Sequence, residues 1–171
     1  HMAKQKMGLI WSPFSNLLLY GQTANIVDAK KAGVMIALGS DWTPTGSKSV
    51  LEEIKIAKNF IMKNKLTHIF SDEDLYMMVT ENPAYLTNYL EVNPEDGIHG
   101  AGKVVADAIA SLIIISDIHE DPHTNLINAK SKDINLVLIK GGPLYGNTNY
   151  LTQFNKEIEY ETLPNYYVGL N

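Results

Sequence analysis

Gly33-Val34-Met35-Ile36-Ala37-Leu38 runs without a single polar side chain and ends on Gly39-Ser40-Asp41-Trp42. A strand with one wet face alternates apolar and polar residues, whereas a continuous run needs cover on both faces, the condition of a parallel strand inside an α/β layer. Ahead of it, Ile26, Val27, Ala29 and Ala32 recur at helical spacing, and Gly33 stands where a left-handed residue closes a helix. Earlier still, Gly8-Leu9-Ile10-Trp11 is a short β-prone run from which Ser12-Pro13 turns the chain out. The first forty residues therefore read strand, helix, strand. Asp41 falls at the C-terminal end of the second strand, where α/β folds place their active sites, because strand ends and the following loops form the mouth of the sheet. A plain loop or helix cap fits the same position, and geometry alone leaves both readings open.

The pattern then changes twice. Ser49 and Glu52 have capping-box spacing ahead of a stripe of Val50, Leu51, Ile54, Ala57 and Ile61, which predicts a helix to about Asn64. Ser71 and Asp74 open a second helix with Leu75, Met78 and Val79, and Pro83 either starts a further turn or kinks it before Leu90. After Asn93-Pro94-Glu95-Asp96-Gly97 the runs become short and β-prone: Leu112 to Ile115, then Ile134 to Ile139, with Gly141-Gly142-Pro143 as a tight turn into Leu144-Tyr145. A strand near Ile158 to Tyr160 is expected in the Tyr-rich tail. This divides the chain into an α/β segment over 3–93 and a β-rich segment over 94–171 carrying a small antiparallel sheet.

With 171 residues, 45% hydrophobic and 19% charged, the chain can bury a substantial core but falls short of the roughly 250 residues of a complete TIM barrel. A net charge of −5, with its Lys residues spread along the chain, lacks the basic footprint of a nucleic-acid binder. The absence of Cys excludes disulfides and thiolate chemistry and is consistent with the cytoplasm. The apolar runs are far shorter than the ~20 residues a bilayer crossing needs, so no membrane role is expected. His1-Met2 reads as the remnant of a cleaved purification tag, and His1 is left out of any metal argument.

Trp11-Ser12-Pro13-Phe14-Ser15-Asn16-Leu17-Leu18-Leu19-Tyr20-Gly21, followed by the strand ending in Gly39-Ser40-Asp41-Trp42, resembles the last two barrel strands of the amidohydrolase superfamily. More narrowly, it is similar to the branch of aminohydrolases and chlorohydrolases that act on purines, pyrimidines and triazines. The similarity continues through Ser47-Lys48-Ser49-Val50-Leu51-Glu52-Glu53, Val79-Thr80-Glu81-Asn82-Pro83-Ala84 and Ala110-Ser111-Leu112-Ile113-Ile114-Ile115, where Ser111 replaces the usual acid. The resemblance implies the last two βα units of a TIM barrel, then helices, then part of a composite β-sandwich. It implies that Asp41 both ligates a divalent metal, zinc or iron, and takes the proton of the attacking water. Ser15 and Asn16, on the loop after the first strand, would contact substrate, and Trp42 would wall the pocket; turn-forming by Ser15 and Asn16, and packing of Trp42 under the next loop, are the plain alternatives.

The His-X-His pair and further His ligands of the family lie on strands not represented here, so the resemblance implies a parent hydrolase of C–N or C–halogen bonds in a small heterocycle. It equally implies an isolated chain that holds no metal tightly and is inactive. Two parallel strands without their barrel neighbours should leave open edges, which predicts a homo-oligomer or strand-exchanged assembly. The competing reading is a stand-alone α/β binding or structural module without metal chemistry. His119-Glu120-Asp121-Pro122-His123 matches HExxH formally, but that motif must lie within a helix, and Pro122 with the preceding strand argues instead for a loop entering a short helix near Leu126. His68 and His99 stand alone and are expected at the surface or in packing.

Overall fold

The computed structural model describes residues 1–89, 95, 100–154, 160–163 and 166–169. The boundary expected at 93/94, Leu90, His99 and Ile158 lie outside the described residues. Strands β1 (Leu9–Trp11) and β2 (Ile36–Leu38) pair in parallel, with Leu9 opposite Ile36, Ile10 opposite Ala37 and Trp11 opposite Leu38. Between them run α1 (Pro13–Tyr20) and α2 (Ile26–Lys31), and α2 ends at Ala32 with Gly33 at φ +75° as its spacing requires. Ser12-Pro13 does not lead into an open loop. Pro13 is the first residue of α1, where its fixed φ is already helical and its missing N–H costs nothing.

All three residues of β2 are buried, in agreement with its unbroken apolar run. Facing pairs share one side of a sheet, so Leu9, Trp11, Ile36 and Leu38 look the same way, and Trp11, Ile36 and Leu38 join the main core. That core is completed by Ile26 of α2, by Ile54, Ala57 and Ile61 of α3 (Val50–Lys63), by Phe70, by Leu75 of α4 (Asp72–Met77) with the following Met78, and by Ile127 of α6 (Pro122–Asn128). The Trp11 ring meets Phe60 edge-on at 5.8 Å, and its Nε1–H donates to Thr23 Oγ1 at 2.6 Å.

The outer edge of β2 is closed by its own chain. Leu38 N–H donates to Met78 O at 2.8 Å, and Asn82 Nδ2 of α5 (Glu81–Leu86) donates to Ile36 O at 2.8 Å. β1 differs: its ladder groups toward β2 are Leu9 N–H, bonded to Met35 O, and Trp11 O, which accepts from Gly39 N–H. Because ladder groups alternate sides along a parallel strand, the N–H and C=O of Ile10 point to the other edge, where no third strand pairs among the described residues.

The helix starts follow their sequence signals. Ser49 Oγ accepts from Glu52 N–H as expected, but the Glu52 carboxylate accepts from Lys48 N–H at 2.9 Å, so the capping box is reciprocal one residue early. Ser71 and Asp74 form the complete box, and Lys30 of α2 pairs with Asp74. Burial pushes the Asp74 carboxyl up, but the Lys30 ammonium and the Ser71 N–H and hydroxyl together hold it below its ordinary value. A carboxylate depressed in the folded state adds stability that is fully present above its unfolded pKa and is lost as pH falls through the folded one. The half-exposed pair and the cap together are worth roughly 1 kcal/mol. Thermal melts should therefore place D74N below wild type at pH 7, with the gap closing below about pH 4.

The remaining strands form a five-stranded antiparallel sheet in the order β3 (Leu112–Ile115), β4 (Ile134–Ile139), β5 (Gly142–Asn147), β7 (Tyr166–Gly169), β6 (Tyr160–Leu163), with α7 (Thr148–Leu151) between β5 and β6. The β4–β5 turn falls one residue earlier than its Gly-Gly-Pro signal: Lys140 and Gly141 carry φ +52° and +83°, and Gly142 already pairs with Ile139. Pro143 is tolerated within β5 because the register shifts there, Leu138 facing Pro143 and Val137 facing Tyr145. The tail strand lies at Tyr160–Leu163 and belongs to this sheet.

Candidate active site

The candidate site is the meeting point of the two strand ends. Gly39 N–H donates to Trp11 O at 3.0 Å, which holds the exits of β1 and β2 together. From there the chain folds back through a tight loop in which Thr45 and Gly46 N–H both reach Trp42 O, at 2.9 and 2.7 Å. A Cβ at position 46 would sit 2.6 Å from the Asp41 carbonyl oxygen, so this return admits glycine alone. The loop leaves Asp41 exposed three residues beyond β2.

Asp41 Oδ1 accepts the N–H of Trp42 at 2.7 Å. That bond, with a smaller contribution from the Ser15 hydroxyl, holds the carboxyl below its ordinary value, so Asp41 is a ready anion at neutral pH. Ser15 and Asn16 stand in the first turns of α1, not on a loop as expected, because Pro13 starts the helix immediately. Ser15 is buried; its hydroxyl donates to Ser12 O at 3.4 Å and contributes to the lowered Asp41 carboxyl. Asn16 is engaged elsewhere: its Oδ1 accepts from Thr23 Oγ1 at 3.1 Å, and Thr23 in turn accepts from Trp11. Trp42 is 72% exposed, which removes the reading that it packs beneath the following loop.

The sequence reading overlooked Glu53. It lies three residues after Val50 and four before Ala57, on the apolar stripe of α3, and a charge on such a stripe is the signal that marks it. It is completely buried, and its Oε1 accepts the N–H of Phe14, in the first turn of α1, at 2.8 Å.

No described residue joins Asp41 in a metal cluster: among the described residues there is no group of three or more His, Asp or Glu that would hold an ion. A catalytic zinc takes about three protein ligands, so the described residues do not by themselves fit a metal, and Asp41 offers one hard oxygen donor. His119 lies before α6, whose N-cap Asp121 accepts from Thr124 N–H, and His123 lies within it, edge-on against Tyr76 at 5.1 Å, so the HExxH spacing is not on one helix. His68 is exposed. A cavity of about 800 Å³ lies between α3, α4, α5, residues 101–113 and strands β3 and β4. Its lining is mainly apolar, and Ser15, Asn16, Asp41 and Trp42 take no part in it.

No protein-family model matches the chain. It is similar to a 5-methylthioadenosine/S-adenosylhomocysteine deaminase of Thermococcus sibiricus, 27% identical over 149 residues that cover 82% of this chain and 33% of that protein. This similarity is of the kind expected from the amidohydrolase resemblance of the sequence.

Solved structures share the fold. An adenosine deaminase from Xanthomonas campestris with bound zinc superposes with a TM-score of 0.69 at 17% identity, over 82% of this chain and 32% of that one. The guanine deaminase of E. coli also gives 0.69, at 14% identity over 86% and 36%. A zinc complex of atrazine chlorohydrolase from Arthrobacter aurescens gives 0.61, at 18% identity over 83% and 32%. The chain spans about a third of the length of these relatives. No helix among the described residues is long and apolar enough to cross a membrane.

Proposed function

We propose that this chain is part of an amidohydrolase and contributes the base to the active site of a longer, metal-dependent hydrolase that cleaves a C–N or C–halogen bond of a small heterocycle. The observation that carries this reading is Asp41: an exposed, hydrogen-bonded carboxylate held ionised where two parallel strands end together. β1 and β2 are read as the last two strands of a TIM barrel, residues 3–93 as its final segment, and 94–171 as part of a β-sandwich. Such a carboxylate accepts a proton from the attacking water and returns it to the leaving nitrogen, or to bulk water when chloride departs.

Ser15 is proposed to steady Asp41 and Trp42 to form one wall of the substrate site, whereas Asn16, tied to Thr23, serves the frame. The parent's zinc or iron would take its other ligands from outside this chain, so the isolated chain is proposed to be inactive. A cytoplasmic setting belongs to the same reading. The test compares the complete protein with its D41N variant for turnover and bound metal. A coding region that supplies no His-X-His pair upstream, or a variant that keeps full turnover, would leave the stand-alone module as the better account.

The open edge of β1 has a consequence for the isolated chain. Ile10 is 58% exposed on a strand whose outward backbone groups lack a third strand among the described residues, and Leu18, Leu19 and Tyr20 at the end of α1 are exposed as well. Unpaired edges and apolar faces of this kind recruit further strands. Light scattering coupled to size exclusion should show a concentration-dependent assembly larger than 19.0 kDa. A monomer across a hundredfold range of concentration would count against it.

A further inference from the structure

α1 carries its site residue without a cap of its own. Its first N–H groups need acceptors, yet the N-cap Ser12 supplies no side-chain hydrogen bond. The acceptor comes from another helix 39 residues onward: Glu53 Oε1 receives Phe14 N–H at 2.8 Å. The carboxylate is fully buried, and its Oε2 has no hydrogen-bond partner among the described residues. A buried carboxylate with one unpaired oxygen is a costly way to cap an eight-residue helix, since an apolar residue of the same size commonly serves the packing as well.

What Glu53 holds explains the arrangement. Phe14 directly precedes Ser15, whose hydroxyl donates to Ser12 O at 3.4 Å and helps to lower the Asp41 carboxyl, and Ser12 Oγ lies 3.7 Å from the position a Cβ on Gly39 would take, two residues ahead of Asp41. Glu53 is itself on α3, which follows the Asp41 loop, so one buried contact ties the element after each strand to the other. We propose that Glu53 is a positioning residue: by fixing the first turn of α1 it holds Ser15 against Asp41 and sets the direction of the Asp41 carboxylate. The inference rests on the reading of Asp41 as an active-site base, and it deepens that reading.

The test uses this chain, labelled for NMR, with Glu53→Leu, Glu53→Gln, Ser15→Ala and, as control, Ile61→Val in the same helix and equally buried. In E53L the Phe14 amide should exchange at least about tenfold faster, because its acceptor is gone. The Asp41 carboxyl and Trp42 amide resonances should move with it. E53Q keeps an acceptor of the same shape and should restore both signals, and S15A should move Asp41 and Trp42 while leaving Phe14 protected. I61V should leave all three in place. Asp41 and Trp42 resonances unmoved in S15A, or moved equally in I61V, would overturn the proposal, and S15A decides the matter even where E53L fails to fold. These readouts are independent of turnover: a fully active D41N variant of the complete protein would sink the catalytic reading, whereas unmoved resonances would sink the positioning role.

Discussion

Replacing Trp11 with alanine is expected to destabilise the chain by about 3–5 kcal/mol, the range for removing a large aromatic side chain from a packed core. Trp11 has no exposed surface, meets Phe60 edge-on, and is the residue through which β1 reaches the core shared by α2, α3, α4 and α6. The substitution also removes the indole N–H that donates to Thr23, so the link between β1 and the segment before α2 is lost, while Thr23 still donates to Asn16. For a domain of this length the melting temperature should fall by roughly 6–20 °C. Domains of ordinary stability hold about 5–15 kcal/mol in total, so the loss takes from about a fifth to all of that margin. A melting temperature within a degree of wild type would show that the β1 end is not part of the cooperative unit.

Elements whose signals are local were legible in the sequence. The unbroken run over Val34 to Leu38 gave a buried parallel strand, the Ser71 and Asp74 spacing gave a complete capping box, and β3 and β4 lie where their apolar runs predicted. α1 was missed because Ser12-Pro13 was weighed as a strand terminator, although proline at a first helical position is equally favoured. The turn at Lys140 and Gly141 was shifted because two adjacent glycines compete for one left-handed site, and a lysine took the other.

The site was legible in part. The position of Asp41, three residues past a buried strand, was visible because it follows from the strand alone. Ser15 meeting Asp41, Asn82 closing the edge of β2 and Glu53 capping α1 were not visible, because each depends on a contact between distant segments that no spacing rule encodes. Of these, Glu53 came nearest to being readable, as a charge on an apolar stripe.

The central claim is that Asp41 acts chemically and is not a mere loop residue. Its side chain is exposed, and the amide oxygen of an asparagine in its place would still accept the Trp42 N–H. The D41N substitution therefore removes a proton acceptor while keeping the shape, which separates chemistry from folding. The most direct measurement is release of ammonia or chloride from an aminated or chlorinated heterocycle by the complete protein and its D41N variant, with melting temperatures recorded alongside. The expected result is a loss of turnover of about 10²–10⁴-fold, typical of removing a general base, at an unchanged melting temperature. A D41N protein with wild-type turnover would contradict the account.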